Sequence, residues 1–128
     1  MNFTGMILLV DDEPHIRKYV MMILRQIGSP IIVEAVNGED AIKAYQRENP
    51  DLVLLDVNMP KMDGIEALRQ LKAIDPKCVV IMLTSLANRE TIEKALELGA
   101  AHYIRKDTPR EEIAKALTDT ISACFDLT

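Results

Sequence analysis

The chain has 128 residues, 48% hydrophobic and 27% charged, with a net charge of -5. This length supports one domain with a single core, 1–128, and no apolar stretch approaches the roughly 20 residues that span a bilayer. The acidic balance, with no basic cluster, speaks against direct nucleic-acid binding, and the start Met1-Asn2-Phe3-Thr4-Gly5 lacks the basic segment and apolar run of a signal peptide, so a cytoplasmic protein is expected.

The first element is the apolar run Met6 to Val10, which ends at Asp11-Asp12. From Ile16 the spacing of Ile16, Val20, Ile23, Leu24 and Ile27 marks one stripe of a helix. Gly28-Ser29-Pro30 ends it, with glycine suited to a left-handed cap and proline unable to continue. Ile31-Ile32-Val33 reads as a strand, and Glu34 places it at a sheet edge. Asn37-Gly38 opens a second helix (Ala41, Ile42, Tyr45) that stops at Asn49-Pro50. The run Leu52 to Leu55 is a third strand closed by Asp56, and a loop to Gly64 leads into a helix carrying Ile65, Leu68 and Leu71. Asp75-Pro76 ends that helix, and Cys78 to Leu83 forms a fourth strand followed by Thr84. A helix from about Arg89 carries Ile92, Ala95 and Leu96 to Gly99, and a last strand, Ala100 to Ile104, ends at Lys106. Thr108-Pro109-Arg110-Glu111 has the pattern of a capping box, opening a helix that buries Ile113, Ala116, Leu117, Ile121 and Phe125.

Five βα units without a linker or repeat imply an α/β fold, a parallel sheet covered on both faces. The continuous apolar runs of the first, third and fourth strands belong in the middle, which favours the flavodoxin-like (βα)5 sandwich of strand order 2-1-3-4-5. Ligands of such sheets bind beyond the carboxyl ends of the strands where the order reverses, between strands one and three. Asp11, Asp12 and Asp56 fall there. Three ionised carboxylates about 5 Å apart repel by roughly 3 kcal/mol per pair at an effective dielectric of 20, approaching 10 in total. That rivals the stability of a whole domain, about 5 to 15 kcal/mol, so the cluster calls for a cation.

Oxygen ligands with no His or Cys nearby in sequence favour Mg²⁺ over zinc. Lys106 would add an ammonium from the other side, and a metal plus a lysine flanking one carboxylate can neutralise a phosphoryl group in transfer. Asp56 could then attack phosphorus, with the Thr84 hydroxyl donating to a phosphoryl oxygen. Each residue alone has a plainer reading: Asp12 as a helix N-cap, Asp56 as a turn residue, Thr84 as a loop or cap residue, Lys106 as a solvated charge. Their conjunction, each at the end of a different strand, is what points to a phosphoryl-accepting site. His15 and His102 suit surface or helix-end positions. Met21, Met22, Met59, Met62 and Met82 suit packing, as do Cys78 and Cys124 on the apolar side of the last helix.

Leu9-Val10-Asp11-Asp12-Glu13, Leu55-Asp56-Val57-Asn58-Met59-Pro60-Lys61-Met62-Asp63-Gly64, Leu83-Thr84-Ser85 and Tyr103-Ile104-Arg105-Lys106 resemble the response-regulator receiver domain of two-component signalling. The resemblance runs from about Ile7 to Phe125. It implies that Asp56 accepts phosphate from a sensor histidine kinase or phosphotransfer protein, and that Asp11, Asp12, Asp56 and the Asn58 carbonyl hold Mg²⁺, Asp12 more directly than Asp11. It implies that Thr84 and Lys106 contact the phosphoryl oxygens. Thr84 and Tyr103 would then switch the face of the fourth helix, fifth strand and fifth helix, which acts on a downstream protein or output domain and leaves open a phosphorylation-dependent homodimer.

The chain departs from that pattern where Asp107 follows Lys106. Relatives often have a cis proline there, and a cis bond costs about 3 kcal/mol without one. Leu86 is apolar where fast-hydrolysing relatives carry an acid or amide, which implies a long-lived phosphoryl group. Two other function classes share the chemistry or the fold. A Mg²⁺-dependent phosphohydrolase would favour an Asp two residues after the nucleophile, where Asn58 stands, and would need a cap domain. A flavin or nucleotide carrier would need a Gly- or Ser/Thr-rich loop after the first strand, where Asp11-Asp12-Glu13-Pro14 would repel phosphate.

Overall fold

The computed structural model describes residues 3–85 and 88–125. Its elements alternate: β1 (Met6–Val10), α1 (Pro14–Ile27), β2 (Ile31–Ala35), α2 (Gly38–Glu48), β3 (Leu52–Leu55), α3 (Gly64–Ile74), β4 (Val80–Thr84), α4 (Arg89–Glu97), β5 (His102–Arg105) and α5 (Arg110–Cys124). All strand pairings are parallel and the order is β2-β1-β3-β4-β5, the flavodoxin-like topology. In register, Val10 lies beside Ala35 on one side and Leu55 on the other, so β1 and β3 end level with each other.

Strand alternation divides the core into two layers. Leu8, Val10, Val53, Leu55, Val80 and Met82 face α2, α3 and α4, meeting Ala41, Tyr45, Leu68, Leu71 and Ala95. Ile7, Leu9, Leu52, Leu54, Ile81 and Leu83 face α1 and α5, meeting Val20, Ile23, Leu24, Ile113, Leu117 and Ile121. Burial on both faces explains the unbroken apolar runs of the three central strands. Each such leucine or isoleucine contributes about 1.5–3 kcal/mol on leaving water. β2 leaves Ile31 and Glu34 exposed and Ile32 and Val33 half-buried, as an edge strand does, and buries only Ala35.

Helix ends follow local chemistry. Asn37, Asp63 and Asn88 cap α2, α3 and α4, each side chain accepting from the backbone N–H three residues on. α5 departs from the predicted capping box: Pro109 occupies the N-cap with no side-chain capping bond, and its carbonyl accepts from Glu112 and Ile113. Cys124 is exposed, because Phe125, four residues after Ile121, continues the apolar stripe instead. Met22 is also exposed, at 54%, on the outer side of α1, while Met82 and Met59 are buried and Met21 and Met62 partly so. Cys78 is buried but precedes β4, which begins two residues later than predicted. β5 likewise begins at His102 rather than Ala100. The Lys106-Asp107 peptide is trans, with no cis bond among the described residues. Leu86 lies outside the described residues.

Gly28 is not the left-handed cap that the sequence suggests. Its φ of 166° is extended, and it bridges in parallel to Phe3. A Cβ there would stand 2.3 Å from the Phe3 carbonyl oxygen and 2.5 Å from its nitrogen, so glycine is required by backbone proximity. Ser29 donates to the Phe3 carbonyl and Phe3 to that of Ile27. Gly28→Ala is expected to cost about 1–3 kcal/mol by overpacking, read as a lower urea midpoint. An unchanged midpoint would contradict this account of the contact.

Candidate functional site

Parallel pairing places the ends of β1, β3, β4 and β5 along one edge of the sheet, and with them Asp11, Asp56, Thr84 and Lys106. Asp11, Asp12 and Asp56 each bring a carboxylate oxygen within 4.8 Å of the others. Asp11 and Asp56 are buried at 2% exposure and Thr84 at 0%, whereas Asp12 is exposed. Asp12 is not the cap of α1. Glu13 holds that position, and Asp11 Oδ1 accepts its N–H at 2.9 Å.

Lys106 reaches into the cluster, its Nζ 2.5 Å from Asp11 Oδ2 and 3.0 Å from Asp56 Oδ2. Its backbone N–H is held by the Thr84 carbonyl at 3.0 Å. Ile16, Tyr19, Val20, Leu83 and Ile113 line a small cavity of about 50 Å³ beside it, so an apolar wall flanks the side chain while its charge meets the acids. Burial raises the Asp11 carboxyl above the usual 3.8, and the bonds from Lys106 and Glu13 only partly oppose this. Burial works to lower Lys106, but its hydrogen bonds to Asp11 and Asp56 prevail and hold the ammonium above 10.5. Lys106 is therefore charged throughout the neutral range. Three carboxylates and one ammonium leave two negative charges, the complement of a divalent cation. Hard oxygen donors at a partly open position suit Mg²⁺, which keeps several of its waters.

Asp56 is held from behind. Its Oδ1 accepts the N–H of Val57 at 2.8 Å and its own N–H donates to the Val10 carbonyl at 3.1 Å. The loop after it turns through Lys61, in the left-handed region at φ 68°, and returns so closely that a Cβ on Gly64 would lie 1.9 Å from the Asp56 carbonyl oxygen. Glycine at 64 thus permits the loop to close on Asp56. Asn58 lies in this loop and is exposed. Tyr103 is half-buried on β5 against the layer that includes Met82 and Ala95; burial, and secondarily the charge of Asp56, raises its hydroxyl above the usual 10.0. His15 and His102 are exposed and outside the cluster.

Sequence reasoning missed Arg17, whose Nη1 donates to the Asp11 carbonyl at 2.6 Å. It also missed the service of the Val57 N–H. Arg17 follows Glu13 by one helical turn, a spacing that carries no sign of a bond back to the strand end.

A family profile described as response regulator receiver domain matches residues 7–118. The chemotaxis protein CheY of Bacillus subtilis is 34% identical over 116 residues, covering 91% of this chain and 97% of that protein. CheY of Halobacterium salinarum is 38% identical over 117 residues, with the same coverages, 91% and 97%. The crystal structure of a CheX–CheY–BeF3–Mg²⁺ complex from Borrelia burgdorferi superposes with a TM-score of 0.84 at 34% identity, covering 94% of this chain and 90% of that one. The cluster of Asp11, Asp12 and Asp56 matches the Mg²⁺ site of such domains and is poised for phospho-aspartate chemistry, which consists of self-phosphorylation and dephosphorylation rather than turnover of a substrate. Phosphorelay partners are general to such domains. From its profile match, its relatives and this acidic rim, the chain belongs to the response-regulator receiver-domain family of two-component signalling.

Proposed function

We propose that Asp56 is the residue phosphorylated, and that the whole chain, 1–128, acts as one receiver domain. The observation that carries this reading is the Lys106 ammonium bridging Asp11 and Asp56 inside a three-carboxylate cluster. A carboxylate so placed can attack phosphorus in line, with its new P–O bond forming as the donor's P–O bond breaks and the donor departs with the electron pair. Mg²⁺ would be held by Asp11, Asp12, Asp56 and the main-chain carbonyl of Asn58. Lys106 would turn from Asp11 to a phosphoryl oxygen, and the buried Thr84 would donate to another. The donor is a sensor histidine kinase or a phosphotransfer protein, acting in the cytoplasm.

The output face is that of α4, β5 and α5. Tyr103 is its inner switch, because it is half-buried on β5 between this face and the site, close enough for the charge of Asp56 to act on its hydroxyl. On the outside α4 displays Glu90, Glu93 and Glu97 beside Lys94, with Leu96 at 50% exposure. A downstream protein, an output domain or a second copy of the phosphorylated chain docks there.

Incubation with acetyl phosphate and Mg²⁺ is expected to add one phosphoryl group by intact mass, and none to Asp56→Ala. Modification of the variant would displace Asp56 from its role. Lys106→Ala removes a cation that competes with the metal. A unit charge pair about 4 Å apart repels by roughly 4 kcal/mol at an effective dielectric of 20 and by about 1 kcal/mol in water. At this partly open site, screened by salt, about 1.4 kcal/mol is expected to be recovered, so Mg²⁺ affinity should rise by about tenfold while phosphorylation slows. Calorimetric titration checks the first expectation, and weaker binding would contradict it. Acid should oppose the metal. The raised pKa of Asp11 means that it takes up a proton as pH falls before an ordinary aspartate does, and this group then stabilises the metal-free fold as pH drops through its folded value. The rise in Tm on adding Mg²⁺ should accordingly shrink as pH falls toward the folded pKa of Asp11, and a constant increment across that fall would contradict this.

A further inference from the structure

Arg17 sits in the first turn of α1 with its side chain only 12% exposed. Its Nη1 donates to the Asp11 carbonyl at 2.6 Å and its Nε to Glu34 Oε1 at 2.8 Å. One planar fork therefore joins α1, the end of β1 and the edge strand β2. The Asp11 N–H already donates to Ala35, the next residue of β2, at 3.1 Å. Asp11 is thus tied to β2 twice, once directly and once through Arg17 and Glu34.

The carbonyl that Arg17 grips belongs to the peptide linking Asp11 to Asp12. The orientation of that peptide sets the direction in which the Asp12 side chain leaves the backbone. Asp12 is the exposed member of the cluster, while Asp11 and Asp56 are buried. An exposed ligand attached to a wandering peptide would lose more conformational freedom on capturing a cation than one whose backbone is already set. Arginine suits this task because its two donors lie in one rigid plane, whereas a lysine ammonium could not fix the geometry of both bonds.

We propose that Arg17, braced by Glu34, is a positioning residue for the divalent cation: it fixes the 11–12 peptide so that Asp12 is presented toward Asp11 and Asp56. Arg17 touches neither the cation nor the phosphoryl group. The inference rests on the reading of the cluster as a Mg²⁺ site. Its sign separates it from a plain charge effect. A cation beside an acidic site repels Mg²⁺, so removing Arg17 would tighten binding if charge were its only contribution. Loss of positioning weakens binding instead.

The test is a calorimetric Mg²⁺ titration of the full chain as wild type, Arg17→Ala, Arg17→Lys and Glu34→Ala, paired with phosphorylation by acetyl phosphate across a range of Mg²⁺. Arg17→Ala and Glu34→Ala are expected to raise the Kd for Mg²⁺ by about tenfold, the usual scale for residues that orient metal ligands. Arg17→Lys should recover part of the loss. At saturating Mg²⁺ each folded variant should regain the wild-type phosphorylation rate, since only cation capture is impaired. A folded Arg17→Ala that binds Mg²⁺ as tightly as wild type, or more tightly, overturns the proposal. A rate that saturating Mg²⁺ fails to restore does so too. If Arg17→Ala does not fold, Glu34→Ala and Arg17→Lys decide, and unchanged Kd values in both overturn it. A wild type that takes up no Mg²⁺ refutes the metal site itself, an outcome distinct from a binding wild type with indifferent variants.

Discussion

The ammonium of Lys106 lies 2.5 Å from Asp11 and 3.0 Å from Asp56, and that triangle is what allows the acidic rim to exist in a folded chain. Without a counter-charge, the mutual repulsion of three clustered carboxylates would consume much of a domain's stability. A single lysine offsets only one of the three. The residual charge is therefore an affinity built into the fold, satisfied by a doubly charged ion and, in the next step, by a group that redistributes charge among its oxygens. The same lysine meets both buried acids at once, which couples the ends of β1 and β3 through one side chain.

The sheet supplies the precision this requires. β1 and β3 end side by side, so the acids at their ends meet without any long loop between them. Asp56 is fixed by two backbone bonds, one from its own N–H and one from Val57. The loop that follows is drawn back against the strand end at Gly64. An anion held by main-chain donors and rigid neighbours needs little reorganisation when charge moves across it. The aromatic residue of β5 is placed differently. Tyr103 is only half-buried, on a short edge strand, where a change of side-chain position disturbs few neighbours.

The architecture was legible because its signals are redundant. Runs such as Leu52 to Leu55 can only be buried on both faces, Glu34 marks an edge, and the stripe from Val20 to Ile27 has one helical face. The acids, threonine and lysine were legible because each closes such a run, and topology alone brings run ends together. Contacts that depend on three-dimensional proximity were not. Gly28 looks like any helix-ending glycine until Phe3 is seen against it. Arg17 looks like a solvated helix residue until its guanidinium is found turned back to β1 and β2. Cys124 and Phe125 differ by one residue, and only the end of the apolar layer decides which of them turns inward.

Phe3 and Phe125 meet edge to face, their ring centroids 5.6 Å apart. This contact gathers the beginning and the end of the described chain at the rim of the sheet opposite the acids. A short peptide joining the backbone beside Phe3 to that beside Phe125, with new ends opened in a surface loop, would make a circular permutation, which closely spaced joining points favour. A fluorophore attached beside Phe3 or Phe125 would likewise stand at the rim opposite the acids, leaving the phosphoryl-transfer rim accessible.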